Sequence, residues 1–185
     1  MSLDSTGNGS ISASDVNNGS SDNCGIAMIM VDDSTFNCGD VGTQTVTLTV
    51  TDVSGNSSTC TSTITIEDTI APIAVCQDIT VQLDSAGSAS ITAMMVDGGS
   101  SDACGIMMLM VSDTAFSCAD VGSNSVTLTV TDSNSNVSTC VANVTVEDTI
   151  PPTALCQDLT IFLDSSGTAS ITPAMVDNGS SDNCA

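Results

Sequence analysis

Two kinds of side chain in this sequence could do chemistry, carboxylates and thiols. The 22 acidic residues face no Lys, Arg or His at all, so any neutralising charge has to come from outside the chain. Its only glutamates, Glu67 and Glu147, each precede an aspartate, Asp68 and Asp148, and each pair is followed by Thr-Ile and then by Ala71-Pro72 or Pro151-Pro152. Carboxylates, Asn amides and loop carbonyls are the oxygen donors that calcium gathers, about six to eight per ion. Without Lys, Arg, His or Tyr the usual general bases, oxyanion clamps and Schiff-base nucleophiles are missing. A two-carboxylate hydrolase would still need a substrate cleft, so no enzymatic activity is expected. Nothing in the chain pairs with phosphate, which excludes nucleic acid as a partner.

The thiols are nine, Cys24, Cys38, Cys60, Cys76, Cys104, Cys118, Cys140, Cys156 and Cys184. Zinc sites favour close Cys-x-x-Cys pairs, often with His, and neither is present. The regular spacing points instead to disulfides and to an oxidising, extracellular setting, secreted or at a cell surface.

That regularity belongs to an internal repeat. Cys76-Gln77-Asp78-Ile79-Thr80-Val81 returns as Cys156-Gln157-Asp158-Leu159-Thr160-Ile161, and Val46 to Asp52 returns as Val126 to Asp132, a spacing of 80 residues in both cases. Ser21-Asp22-Asn23-Cys24 recurs as Ser101-Asp102-Ala103-Cys104 and as Ser181-Asp182-Asn183-Cys184. The expected division is a first repeat over 1–70 with its first strand truncated, a complete second repeat over 71–150, and the start of a third over 151–185. Met1 falls mid-strand in this phase, which reads as a cut from a longer polymer. No run of about 18 apolar residues occurs, so no membrane insertion is expected.

Within a repeat the hydrophobic period is two, the signature of half-buried strands. Val46, Leu48 and Val50 face one way and Thr45, Thr47, Thr49 and Thr51 the other. After the turn Asp52-Val53-Ser54-Gly55-Asn56, Cys60, Ser62, Ile64 and Ile66 resume the inward face, which predicts a hairpin. Ile79, Val81 and Leu83, the turn Asp84 to Gly87, and Ala89, Ile91 and Ala93 predict a second hairpin. Ile106 to Val111 and Asn124 to Asp132 add further strands. About seven short strands per repeat without helical periodicity predict an all-β fold of tandem immunoglobulin-like β-sandwich repeats. So small a core, with Phe36, Phe116 and Phe162 its only aromatics, calls for disulfide staples. Cys60 is in phase with its inward face and Cys24 precedes the neighbouring strand, so the expected bridges are Cys24–Cys60 and Cys104–Cys140. Cys76–Cys118 is the remaining pair, with Cys38, Cys156 and Cys184 left for partners outside the chain.

The run Ser-Asp-Asn-Cys-Gly, then Val-Gly-Thr-x-Thr-Val-Thr-Leu-Thr-Val-Thr-Asp, then Ser-Gly-Asn-Ser-Ser-Thr-Cys resembles the hyalin repeat, an immunoglobulin-like module of extracellular adhesion proteins and bacterial surface arrays. The likeness spans nearly the whole chain. In that family the Cys after the Asp-Asn motif and the Cys on the last strand are matched by Cys24 and Cys60, and by Cys104 and Cys140. It implies adhesion or matrix roles and no catalysis. Cys38 and Cys118 depart from the family pattern.

In an immunoglobulin-like topology the incoming first strand arrives beside the loops at one end of the sandwich, and those loops are acidic here. Glu67 and Asp68 should meet Asp97, Asp102, Asp132 and Asn134; Glu147 and Asp148 should meet Asp177 and Asp182; Asp22 and Asp52 hold the equivalent places in the first repeat. The arrangement resembles the inter-repeat calcium sites of cadherins, and Ca2+ is the expected cofactor. Prolines and the absence of Gly make the linkers short and stiff. The competing reading is that Asp, Asn, Ser and Gly are good turn formers, which suits Asp40, Asp84, Asp120 and Asp164 better.

Met28 and Met30, like Met108 and Met110, alternate with aliphatic residues and, if outward, form an apolar stripe for lateral packing into a fibre. Sequons at Asn8, Asn18, Asn56, Asn136, Asn143 and Asn178 are candidate glycan acceptors. The functional expectation is an extracellular structural repeat protein, a calcium-stiffened stalk or filament whose partner is itself. The alternative is a set of adhesin repeats binding a cell-surface or glycan ligand.

Overall fold

In the first repeat, strands β1 (Asn8–Ser10), β2 (Ile26–Val31), β3 (Thr35–Asn37), β4 (Gly42–Asp52) and β5 (Ser57–Ile66) form two sheets. β1 pairs antiparallel with β3, and β4 lies between β2 and β5. The predicted β4–β5 hairpin is present in register from Gly42↔Ile66 to Thr51↔Ser57. Its turn closes through Asp52 N–H donating to the Asn56 carbonyl at 2.9 Å. One turn of helix, α1 (Ala13–Val16), follows β1. Val46 and Ile66, in phase on facing strands, close over Leu3 and Phe36 to make the core, as the period-two alternation requires. A computed structural model describes residues 1–184 of this chain.

The same elements recur in the second repeat, beginning with β6 (Ile79–Gln82), β7 (Ser88–Ser90) and the helical turn α2 (Ala93–Val96). They continue with β8 (Ile106–Val111), β9 (Ala115–Ser117), β10 (Gly122–Asp132) and β11 (Val137–Glu147). β7 pairs with β9, and the larger sheet has the order β6-β11-β10-β8. The second predicted hairpin does not form. β6 runs parallel to β11, from Ile79↔Val144 to Gln82↔Glu147, and the Asp84–Gly87 turn passes the chain to β7 in the other sheet. A parallel first strand beside the last, with antiparallel pairs elsewhere, is the immunoglobulin-like solution. The chain is thus an all-β series of immunoglobulin-like sandwiches, with a last helical turn α3 (Pro173–Val176) in the third repeat. By proximity the chain forms two compact units: 1–75 with 99–109 and 129–139, and 76–98 with 110–128 and 140–185. No helix among the described residues is long and apolar enough to cross a membrane.

The disulfides are Cys38–Cys104, Cys76–Cys140 and Cys118–Cys184. This corrects the expected Cys24–Cys60, Cys104–Cys140 and Cys76–Cys118. The pairing of β6 with β11, and the Asn143 N–H donating to Asp78 Oδ1 at 2.7 Å, bring the segment of Cys76 alongside that of Cys140. Cys104 is taken by the repeat before it: a Cβ on Gly7 would lie 2.6 Å from Cys38 Sγ and 3.3 Å from Ala103 Cβ, so the Gly7 turn and the Cys104 loop are in contact. Gly7 has φ +75°, a conformation that suits glycine. Cys24, Cys60 and Cys156 are exposed free thiols.

Candidate metal centre around Asp68

The site begins with strand alternation carried past the end of β5. Ile66 points into the core, Glu67 points out to solvent, and Asp68 points in again, leaving it 8% exposed. Bonds from Glu67 N–H to the Met1 carbonyl and from Leu3 N–H to the Glu67 carbonyl, both 2.9 Å, fix this phase. Asp68 Oδ1 accepts the Ile70 N–H at 3.0 Å, which bends the chain toward Pro72. Its Oδ2 is buried and has no hydrogen-bond partner. One oxygen of Asp68, one of Asp102 and the Cys104 sulfur lie within 4.8 Å of one another. The sulfur belongs to the Cys38–Cys104 bridge and is therefore no thiolate ligand, so the chemically relevant pair is the two carboxylates. Asp102 Oδ1 accepts the Cys104 N–H at 2.8 Å.

The β10–β11 turn braces this pair. Asp132 is fully buried; its Oδ1 accepts the Asn134 and Asn136 N–H groups, both at 2.8 Å, and its Oδ2 the Asn136 amide at 2.8 Å. The same amide nitrogen reaches the carbonyls of Asp68 at 3.1 Å and Ile70 at 3.2 Å. Asn134 lines an open cleft together with Glu67, Asp68 and Thr69. Of the six residues expected around this joint, Asp68 and Asp102 are brought together and Asn134 borders them. Asp132 is turned inward to hold its own loop, and Glu67 faces solvent. Asp97 belongs to the other compact unit, where it forms a bridge with Cys76. Asn136 is thus the residue that braces the linker against this turn.

Around Asp148 the pattern differs. Asp148 Oδ1 accepts the Ile150 N–H at 3.1 Å and the Asn183 amide at 3.2 Å, while Asn183 Oδ1 is buried without a partner. Asp182 Oδ1 accepts the Cys184 N–H at 2.8 Å. Glu147 is exposed at the end of β11. Asp177 is exposed, and the Ser180 hydroxyl and N–H hold its carboxyl below the usual carboxylate range. In the first repeat Asp22 Oδ1 accepts the Cys24 N–H at 2.8 Å. The Asn56 side chain and N–H likewise lower the Asp52 pKa. Asp40, Asp84, Asp120 and Asp164 all act as acceptors within turns.

No protein-family model matches the sequence, and no curated protein matches it. Among solved structures, the protocadherin gammaB7 EC3-6 cis-dimer aligns at 17% identity and TM-score 0.37, over 89% of this chain and 53% of that one. The fibronectin(III)-like modules of Clostridium thermocellum CbhA align at 11% identity and TM-score 0.30, over 80% of this chain and 89% of that one. An endo-fucoidan hydrolase of glycoside hydrolase family 107 aligns at 16% identity and TM-score 0.29, over 66% of this chain and 22% of that one. These likenesses are remote, and the fold assignment rests on the strand order and registers of the chain itself.

Proposed function

We propose that this chain is part of an extracellular structural repeat protein, a stalk or filament whose joints are fastened by disulfides and stiffened by calcium. The repeats at 1–70, 71–150 and 151–185 are its modules. The carrying observation is the buried, unpartnered Oδ2 of Asp68 beside the Asp102 carboxylate. At an effective dielectric of about 20, two like unit charges some 4–5 Å apart repel by roughly 3–4 kcal/mol. With no Lys, Arg or His in the chain, compensation by a side-chain cation is absent and a bound metal cation would supply it.

The donor set fits calcium. Asp68 and Asp102 supply hard anionic oxygens, Asn134 borders the same cleft, and water completes a coordination sphere of about six to eight. Bound there, calcium would supply positive charge that holds residues 68–70 against the 102–104 and 132–136 loops. The hyalin-repeat resemblance and the disulfides support an extracellular setting. The adhesin reading is the weaker one, because the recurring loops carry no aromatic residues for a ligand.

The test is thermal unfolding and filament persistence length at neutral pH, with calcium and with a chelator. Calcium is expected to raise the midpoint and stiffen the chain. Identical curves under both conditions would sink the calcium joint.

A further inference from the structure

Six asparagines stand two residues before a serine or threonine: Asn8, Asn18, Asn56, Asn136, Asn143 and Asn178. The fold divides them by what each amide nitrogen does. Asn136 Nδ2 donates to Asp132 Oδ2 at 2.8 Å and reaches the carbonyls of Asp68 and Ile70 at 3.1 and 3.2 Å, which engages both of its protons. Asn143 Nδ2 donates to Thr145 Oγ1 at 3.1 Å, and its Oδ1 accepts the Ser123 hydroxyl. Asn136 and Asn143 are both half-buried. Asn8 Nδ2 donates to the Thr6 carbonyl at 3.1 Å and the Thr6 hydroxyl at 3.0 Å, and Asn56 Nδ2 donates to Asp52 Oδ2 at 2.7 Å. Among the described residues, Asn18 and Asn178 alone of the six keep an exposed side-chain amide with no hydrogen bond.

These two share one place in the repeat, the loop that leaves the helical turn, as Asn17-Asn18-Gly19-Ser20 after α1 and Asp177-Asn178-Gly179-Ser180 after α3. Ser20 N–H and hydroxyl donate to Asn17 Oδ1 at 3.0 and 2.6 Å, and Ser180 N–H donates to Asp177 Oδ1 at 2.9 Å. Each loop thus folds back on the residue before the asparagine, as side chains of this type do in turns. Gly19 and Gly179 follow at φ +80° and +85°, and a Cβ added to either would meet nothing within 4 Å.

The second repeat shows that this openness belongs to the module. There the loop is Gly98-Gly99-Ser100, and the strand beside it is in place: Ile73 exchanges backbone bonds with Ser101 at 2.8 and 3.0 Å, and Cys76 bridges to Asp97. Gly98 is nevertheless exposed, and a Cβ added to Gly99 would meet nothing within 4 Å. In the third repeat the Asn178 N–H donates to the Leu155 carbonyl at 2.9 Å while its side chain stays in solvent.

We propose that Asn18 and Asn178 carry N-linked glycans, and that the second repeat is bare at this loop because position 98 is glycine. The donor class is an oligosaccharide held on a lipid diphosphate. Asn Nδ2 bonds to C1 of the first sugar as the bond from C1 to the diphosphate oxygen breaks; the lipid diphosphate departs with that electron pair and the amide gives one proton to solvent. A glycan is bulky and hydrated. At Asn18 or Asn178 it displaces no contact, whereas at Asn136 it would take a proton that braces the Asp68 linker. The proposal rests on the extracellular reading above, since such donors are met on the secretory route, and it is independent of calcium.

The test is expression of the chain behind a secretion signal in a glycosylating eukaryotic cell, with intact glycopeptides from medium and cells read by mass spectrometry. Occupancy at Asn18 and at Asn178 is expected to exceed that at each of the other four sites by about tenfold or more. Asn18→Gln and Asn178→Gln should each remove one step in gel mobility. Gly98→Asn completes Asn-Gly-Ser in the second repeat and should add a third step without loss of secretion. Bare Asn18 and Asn178, equal occupancy at Asn136 or Asn143, or a Gly98→Asn chain with no added glycan would overturn the proposal. A bare chain secreted with its three disulfides intact would do so while leaving the extracellular reading standing; an unmodified chain held inside the cell would count against both.

Discussion

The joints at Asp68 and at Asp148 are built from the same motif, and one side chain changes how each carboxylate is satisfied. Where the second joint has Asn183, the first has Ala103. The Asn183 amide donates to Asp148 Oδ1 and to the Asp84 carbonyl, each at 3.2 Å. Ala103 has no donor to offer, and the neighbouring Asp68 keeps a buried oxygen with no hydrogen-bond partner. A buried charge is costly unless paired, so the first joint calls for an external cation more strongly than the second. On the proposed function, metal demand would therefore be set joint by joint within an array of near-identical repeats.

The largest expected effect is on the covalent fastening that both joints share. Replacing Cys38 and Cys104 together by serine opens a loop with a sequence separation of 66. In the chain-entropy model that costs about 4 kcal/mol, to be read from denaturant unfolding. A second comparison turns on a change of sign. With calcium present, Asp68→Asn should destabilise and abolish the calcium-dependent rise in unfolding midpoint. In chelator the same variant should be neutral or more stable by about 1–3 kcal/mol, because an unpaired buried carboxylate is removed. Asp148→Asn should show no such reversal.

Exchanging the distinguishing residue is a smaller perturbation. Ala103→Asn should weaken calcium binding about tenfold, equivalent to roughly 1.4 kcal/mol, measured by calorimetric titration; a variant with unchanged affinity would show that Ala103 is not what separates the joints. The smallest effect concerns acids already served by the protein. The Thr47 N–H and hydroxyl lower the Asp32 pKa, the Asn56 side chain and N–H that of Asp52, and the Ser166 hydroxyl that of Asp164. A folded-state pKa below the unfolded value near ~3.9 gives stability that is full above about pH 4 and fades as pH falls through the folded value. Carboxyl NMR titrations should place these three midpoints low and unmoved by calcium.

Much of this architecture was legible in the sequence. Alternation located β4, β5 and the inward phase of Ile79 and Leu83, and the Glu-Asp motif pointed to Asp68 and Asp102. The cysteine pairing was not legible. Phase says which face a thiol is on, yet Cys104 bonds to the repeat before it, and no local pattern encodes that choice. The same limit explains the missing second hairpin: β6 and β7 are adjacent in sequence and belong to opposite sheets. Asp97 forms a backbone bridge with Cys76, a pairing that no local pattern announces. Met28, Met30, Met108 and Met110 are all exposed, the outward choice of the two that alternation allowed.

The three disulfides interlock. The loop closed by Cys38 and Cys104 overlaps the one closed by Cys76 and Cys140, which in turn overlaps the one closed by Cys118 and Cys184. A protease that cuts the backbone once, anywhere from 38 to 184, therefore releases no fragment, because at least one bridge spans every peptide bond in that interval. Damage that would sever an ordinary tether leaves this one continuous: even two cuts within that interval leave its ends joined through the bridges, until a reductant opens them.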